Sequence, residues 1–137
     1  MFGISSKGCY GIFAMFELAL HYNKGTVNIK DIAMAQDIPQ QYLEQILLKL
    51  KNAGLLKSER GASGGYKLAK SPDKITVFEI LNILEGDLKL TTAASKFNVI
   101  NNYFKGINTE IKILLSKNLQ DLLMDNQKLS ASIVYDI

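Results

Sequence analysis

A chain of 137 residues, 47% of them hydrophobic, is long enough for one compact core or for a small domain with an appended helix, and too apolar to be disordered as a whole. A single cysteine excludes an intrachain disulfide, no leader pattern is read at its start, and no window approaches the roughly 18 to 20 apolar residues that cross a bilayer, so a cytoplasmic protein with no membrane partner is expected. The net charge of +3 is mild but uneven: residues 49 to 74 carry seven Lys and Arg against two acids, a local +5.

Ser5 or Ser6 is placed to cap a first helix whose inward face is Ile12, Phe13, Phe16, Ala19 and Leu20 and which ends near Asn23. Thr26-Val27-Asn28 offers a short extended segment, after which Asn28 caps a helix from Ile29 to about Gln36. Ile38-Pro39 closes a turn, and Pro39 suits the first turn of the next helix, where its missing N–H costs nothing. Leu43, Ile46, Leu47 and Leu50 give that helix one apolar stripe, while Gln40, Gln41, Tyr42, Glu44, Gln45, Lys49 and Lys51 take the opposite face. Gly54 stops it. Leu55–Ser58 and Tyr66–Leu68 then read as two strands around Arg60-Gly61-Ala62-Ser63-Gly64-Gly65, whose glycines permit a tight tip. Helix, turn, helix and basic glycine-rich hairpin together describe a winged helix-turn-helix.

Beyond the hairpin, Ser71-Pro72-Asp73 is a turn, and Thr76 with Glu79 forms a capping box for a helix that buries Val77, Ile80, Leu81 and Leu84 and ends at Gly86. Residues 88 to 109 contain no Asp, Glu, His or Cys. Within and beyond them Phe97, Ile100, Phe104, Ile107, Ile111 and Leu114 recur at intervals of 3, 4, 3, 4 and 3, the pattern of a seam with another helix. Gly106 inside that run costs about 1 kcal/mol of helix stability. The stripe serves either a dimer or packing on its own domain, and a helix extending outside a DNA-binding unit favours the dimer. Asn118 to Leu123 starts a short further helix, and a polar tail follows from Asp125. The expected fold is mainly α with a small β wing: a winged helix-turn-helix domain over 1–86, a linker, long dimerisation helix and short helix over 87–125, and a C-terminal tail over 126–137.

Glutamine pairs bidentately with adenine and glutamate accepts from cytosine N4, which makes Gln40, Gln41, Tyr42, Glu44 and Gln45 the expected base-reading set. Arg60, with Gly61, Ser63 and Gly64 around it, suits the negative potential of a narrow minor groove. Ser5, Ser6, Lys7, Lys49, Lys51, Lys57 and Lys67 suit phosphate contacts, which set register without reading sequence. The Gly61-x-x-Gly64-Gly65 run lacks the Gly-Lys-Ser/Thr ending of a phosphate-binding loop. No catalytic or metal-ligand cluster assembles around the sole histidine, His21, so neither an enzyme nor a cofactor is expected. Cys9 lies in the first turn of a helix beside Lys7, which allows a redox-thiol reading next to that of an inert buried thiol.

Ile4-Ser5-Ser6-Lys7-Gly8-x-Tyr10, Ile38-Pro39-x-x-Tyr42-Leu43-Glu44-Gln45-Ile46-Leu47, the run from Ala53 through Gly64-Gly65-Tyr66-x-Leu68-Ala69, and Ile75-Thr76-Val77 closely resemble the Rrf2 family of bacterial transcription regulators over about residues 1 to 86. The resemblance implies a sequence-specific regulator, acting as a repressor, whose homodimer crosses its long helices and sets two winged domains on a palindromic operator in double-stranded DNA. It also places Gln41, Glu44 and Gln45 where the family reads bases and Arg60 at the minor-groove position. Cluster-binding members carry three cysteines before the long helix; this chain has none between Leu88 and Gly106, so it resembles a cluster-free member answering to a small molecule, a partner protein, Cys9 or no effector at all. The competing reading is a winged-helix module that binds a protein, or binds DNA without reading sequence.

Overall fold

In the computed structural model, residues 3–62, 64–91 and 93–135 are described. Helix α1 (Ser6–Leu20) is capped by Ser5, whose hydroxyl accepts from the Gly8 N–H. Helix α2 (Ile29–Gln36) is capped by Asn28, which accepts from the Lys30 N–H at 2.8 Å. Between α2 and α3 (Gln40–Asn52) the chain turns at Asp37, a left-handed residue with φ of 54°, a conformation that Asp tolerates better than most side chains. The turn is closed by the Ile38 N–H on the Ala33 carbonyl at 2.9 Å, and Ile38 buries its side chain. Pro39 is the N-cap of α3 with an extended ψ of 126°, one position before the first-turn place expected for it.

The wing consists of β1 (Leu56–Glu59) and β2 (Gly65–Leu68), antiparallel with Leu56 opposite Leu68 and Glu59 opposite Gly65. Both strands lie within one residue of the expected positions. Val27 bridges to Tyr66 on the far side of β2, its N–H and carbonyl both bonded at 2.8 and 2.9 Å, a one-residue bridge beside the two-stranded sheet. Gly65 is required there, because a Cβ would run into the Val27 carbonyl.

After a 3-10 turn (Pro72–Lys74), α4 (Val77–Glu85) starts from the expected cap: the Glu79 N–H donates to Thr76 Oγ1 at 3.0 Å. Helix α5 (Asn98–Leu114) follows a loop, and α6 (Leu119–Tyr135) closes the chain. The residues expected to form a short helix and a polar tail are therefore one helix of 17 residues. No glycine or proline follows Gly106, and Leu, Met, Gln and Lys favour helix even where one face stays wet.

One core joins these elements. Met15 and Leu18 of α1, Leu43, Ile46, Leu47 and Leu50 of α3, Ile80 and Leu84 of α4, and Leu119 of α6 are buried together. At roughly 1.5–3 kcal/mol for each large aliphatic side chain removed from water, this cluster dominates the folding energy. The junction of α5 and α6 is stitched to the start of α4 by Val77 N–H to the Lys117 carbonyl at 2.8 Å, Phe78 N–H to the Leu115 carbonyl at 2.7 Å, and Leu119 N–H to the Ile75 carbonyl at 2.9 Å.

Candidate nucleic-acid interface

The apolar stripe of α3 is wholly buried, which turns its other face outward by default. Gln40, Gln41, Glu44, Gln45, Lys49 and Lys51 are all exposed, and Tyr42 retains 59% of its surface. Amides and a carboxylate at the N-terminal end of an exposed helix present the donors and acceptors that base edges require. Tyr42 leans on Tyr10 of α1, ring centroids 6.3 Å apart, and Tyr10 in turn packs edge-on against Phe13 at 6.1 Å. The first turns of α1 thus lie beside the outward helix. Glu17 accepts from Gln36 at 3.1 Å and pairs with His21 at 3.1 Å, which fastens α1 to the end of α2 and occupies the sole histidine structurally.

The wing follows α3 directly in the chain, and its first strand packs on that helix. Arg60 is exposed at its tip, followed by Gly61 with φ of +110°, whose carbonyl accepts from the Gly64 N–H at 3.0 Å. Ser63 lies outside the described residues. Lys57 is exposed, whereas Lys67 is held across the strands by Glu59 at 2.8 Å. An exposed pair of this kind contributes little energy and opens easily when a phosphate competes.

Ser5, Ser6 and Lys7 sit at the start of α1, but Ser5 is already engaged. Its N–H donates to Glu85 Oε1 at 3.2 Å, and its hydroxyl reaches the same oxygen. A carboxylate at a helix N-terminus is favoured by the dipole, so the last residue of α4 occupies the place a phosphate would take at Ser5. Local sequence signals carry no trace of this pairing, whose partners are 80 residues apart. Cys9 is half-buried in the same turn.

Helix α5 buries none of its residues. Of the expected seam, Phe97 and Leu114 are 70% and 78% exposed, Ile100 and Phe104 are also exposed, and Ile107 and Ile111 are half-buried. Val99, Tyr103 and Ile113 widen the apolar face and were not in the expected set; their own spacing of 4 and then 10 residues keeps them on one side of the helix. The loop before α5 is fastened by asparagines. Asn101 takes the Ser95 N–H at 2.8 Å and gives its own N–H to the Ser95 carbonyl at 2.9 Å, and Asn108 takes the Leu90 N–H at 2.8 Å.

A sequence model of Rrf2, described as an iron-dependent transcriptional regulator, matches residues 4–125. The chain belongs to the Rrf2 family. Among Rrf2 relatives, the HTH-type transcriptional regulator CymR of Bacillus subtilis is 47% identical over 85 residues, an alignment spanning 62% of this chain and 62% of CymR. The HTH-type transcriptional regulator IscR of Aliivibrio salmonicida is 33% identical over 132 residues, 90% of this chain and 79% of that protein. The solved structure of T. potens IscR superposes with a TM-score of 0.81 at 39% identity, covering 93% of this chain and 90% of the other. The mainly helical winged fold is thus that of the Rrf2 regulators.

The iron in the family's description asks for ligands that the loop before α5 does not supply. The loop from Asp87 to Phe97 holds one carboxylate and neither Cys nor His. Among the described residues no three His, Cys, Asp or Glu side chains gather closely enough to hold a metal ion. This donor set does not fit an iron-sulfur cluster, whose irons are held by thiolates or imidazoles, and a lone carboxylate does not hold an iron ion. Among the described residues, too, no helix is long and apolar enough to cross a membrane.

Proposed function

We propose that this Rrf2 protein is a cytoplasmic, sequence-specific DNA-binding regulator without enzymatic activity, acting as a repressor on a palindromic operator as an iron-independent homodimer. The observation that carries the reading is the outward face of α3, where Gln41, Glu44 and Gln45 are exposed beside a wing tipped by Arg60. Gln40 and Tyr42 flank the base-reading set. Arg60, Gly61 and Gly64 form the part of the wing that enters the minor groove. Lys7, Lys49, Lys51 and Lys57 hold phosphates, with Ser6 beside them and Lys67 once released by Glu59. Iron independence is supported by the loop before α5, which Asn101 and Asn108 hold where cluster ligands are lacking.

The test is a binding selection on random duplexes at stated salt. Enrichment of a palindrome with half-sites about one or two helical turns apart is the expected result. Repeating it with Glu44→Ala should relax the preference at one position per half-site, since a good base contact discriminates by about 1–3 kcal/mol. No enriched motif would leave only a nonspecific binding module.

A further inference from the structure

The wing carries a single acid. Over residues 53 to 69 the cations are Lys57, Arg60 and Lys67, and Glu59 is the one carboxylate among them. Alternation along β1 puts Lys57 and Glu59 on the same face, and the register sets Lys57 directly opposite Lys67. Two like charges so placed repel each other. Glu59 stands opposite Gly65, which has no side chain, and the Val27 carbonyl leaves no room for a larger residue there. The carboxylate therefore reaches diagonally across the strands, to Lys67 Nζ at 2.8 Å.

The two facing lysines are thus unequal. Among the described residues no acid pairs with Lys57, which is exposed, whereas Lys67 is held. Both line an open hollow of 350 Å³ with Tyr22, Asn23 and Gly25, so Lys67 has room to turn when Glu59 releases it. The hold is weak, because the two side chains are 41% and 54% exposed and water screens them. It is comparable to one phosphate contact, so the placing of the phosphate decides the exchange. On a duplex whose bases are not read, phosphates take no fixed place beside the wing. On a read sequence, base contacts fix the register and keep one phosphate within reach.

We infer that Glu59 withholds Lys67 from DNA that α3 does not read and yields it on the operator, so that the wing gains one phosphate contact only in the correct register. This rests on the DNA reading proposed above. Glu59 acts through Lys67 and is a positioning residue of the interface. Lys57 grips any duplex; Lys67 grips the operator.

The experiment measures the salt dependence of binding by the full chain to its selected palindrome and to a scrambled duplex of equal length. For the parent, the slope of log affinity against log salt should be steeper on the palindrome by about one phosphate contact. Glu59→Gln should steepen the slope on the scrambled duplex by about one, abolishing the difference, and raise affinity for that duplex about two- to fivefold near physiological salt. The double variant Glu59→Gln with Lys67→Gln should return the scrambled slope to the parent's value. A merely structural role for the pair would move none of these slopes. Equal parental slopes on the two duplexes would overturn the inference and leave sequence reading intact. So would a steepened slope that the double variant keeps, since lost negative charge alone would then explain it. A parent chain that selects no palindrome would overturn the DNA reading itself.

Discussion

Asn101 and Ser95 clasp each other twice, the serine N–H bonding the asparagine carbonyl oxygen at 2.8 Å and the asparagine amide bonding the serine carbonyl at 2.9 Å. A primary amide is the one uncharged side chain that offers donor and acceptor side by side, so it closes a six-residue loop without metal. Replacing Asn101 and Asn108 together by Ala removes three bonds, each worth about 1 kcal/mol. Hydrogen exchange of the amides in residues 88–97 should then quicken markedly. Unchanged protection would show that something else holds the loop.

The donor set carries a second prediction. Protein purified without oxygen should contain no stoichiometric iron and no visible chromophore, and its operator affinity should be the same before and after treatment with a chelator. Stoichiometric iron, or affinity lost on chelation, would mean that ligands other than those within residues 87–97 assemble in the dimer.

Arg60 is exposed at the wing tip and packs on nothing in the core, so the role proposed for it in DNA binding separates cleanly from stability. Arg60→Ala should lower operator affinity about tenfold or more and reduce the salt slope by about one, while shifting stability by no more than about 0.5 kcal/mol. Equal affinity in the variant would remove the wing from the interface.

Leu119, the first residue of α6, is fully buried among side chains of the winged domain. Its N–H on Ile75 also anchors the junction through which α5 is attached. Leu119→Ala should cost about 2–5 kcal/mol in urea unfolding. A smaller loss would show that α6 docks independently of the core.

Most of the winged half was legible because its signals are local, but the inward face of α1 was not: Ala14, Met15 and Leu18 are buried there, whereas Phe13 and Leu20 are 41% and 39% exposed. Asn28, Pro39, Gly54, Thr76 with Glu79, and Gly86 each mark a helix end by their own chemistry, and the stripe from Leu43 to Leu50 identifies its buried face. What escaped had no local mark. Helix α6 runs on past the short helix expected at Asn118 to Leu123, and its polar continuation carries no cap or apolar stripe that marks it in the sequence. Asp37 takes the left-handed conformation at the end of α2, where a glycine or asparagine would be the local mark. Lys67 and Ser5 looked like free phosphate contacts, and only folding brings Glu59 and Glu85 to them. The outer apolar residues Val99, Tyr103 and Ile113 carry no mark of their own beside the 3-4 repeat that already makes the helix amphipathic.

Sequence-specific recognition by the α3 face is tested most directly by comparing the affinity of the chain for its selected palindrome with that for a scrambled duplex of equal length, at physiological salt. A preference of roughly a thousandfold or more is predicted. A ratio near one, with both affinities falling together as salt rises, would mean that the cations grip DNA while Gln41, Glu44 and Gln45 read nothing.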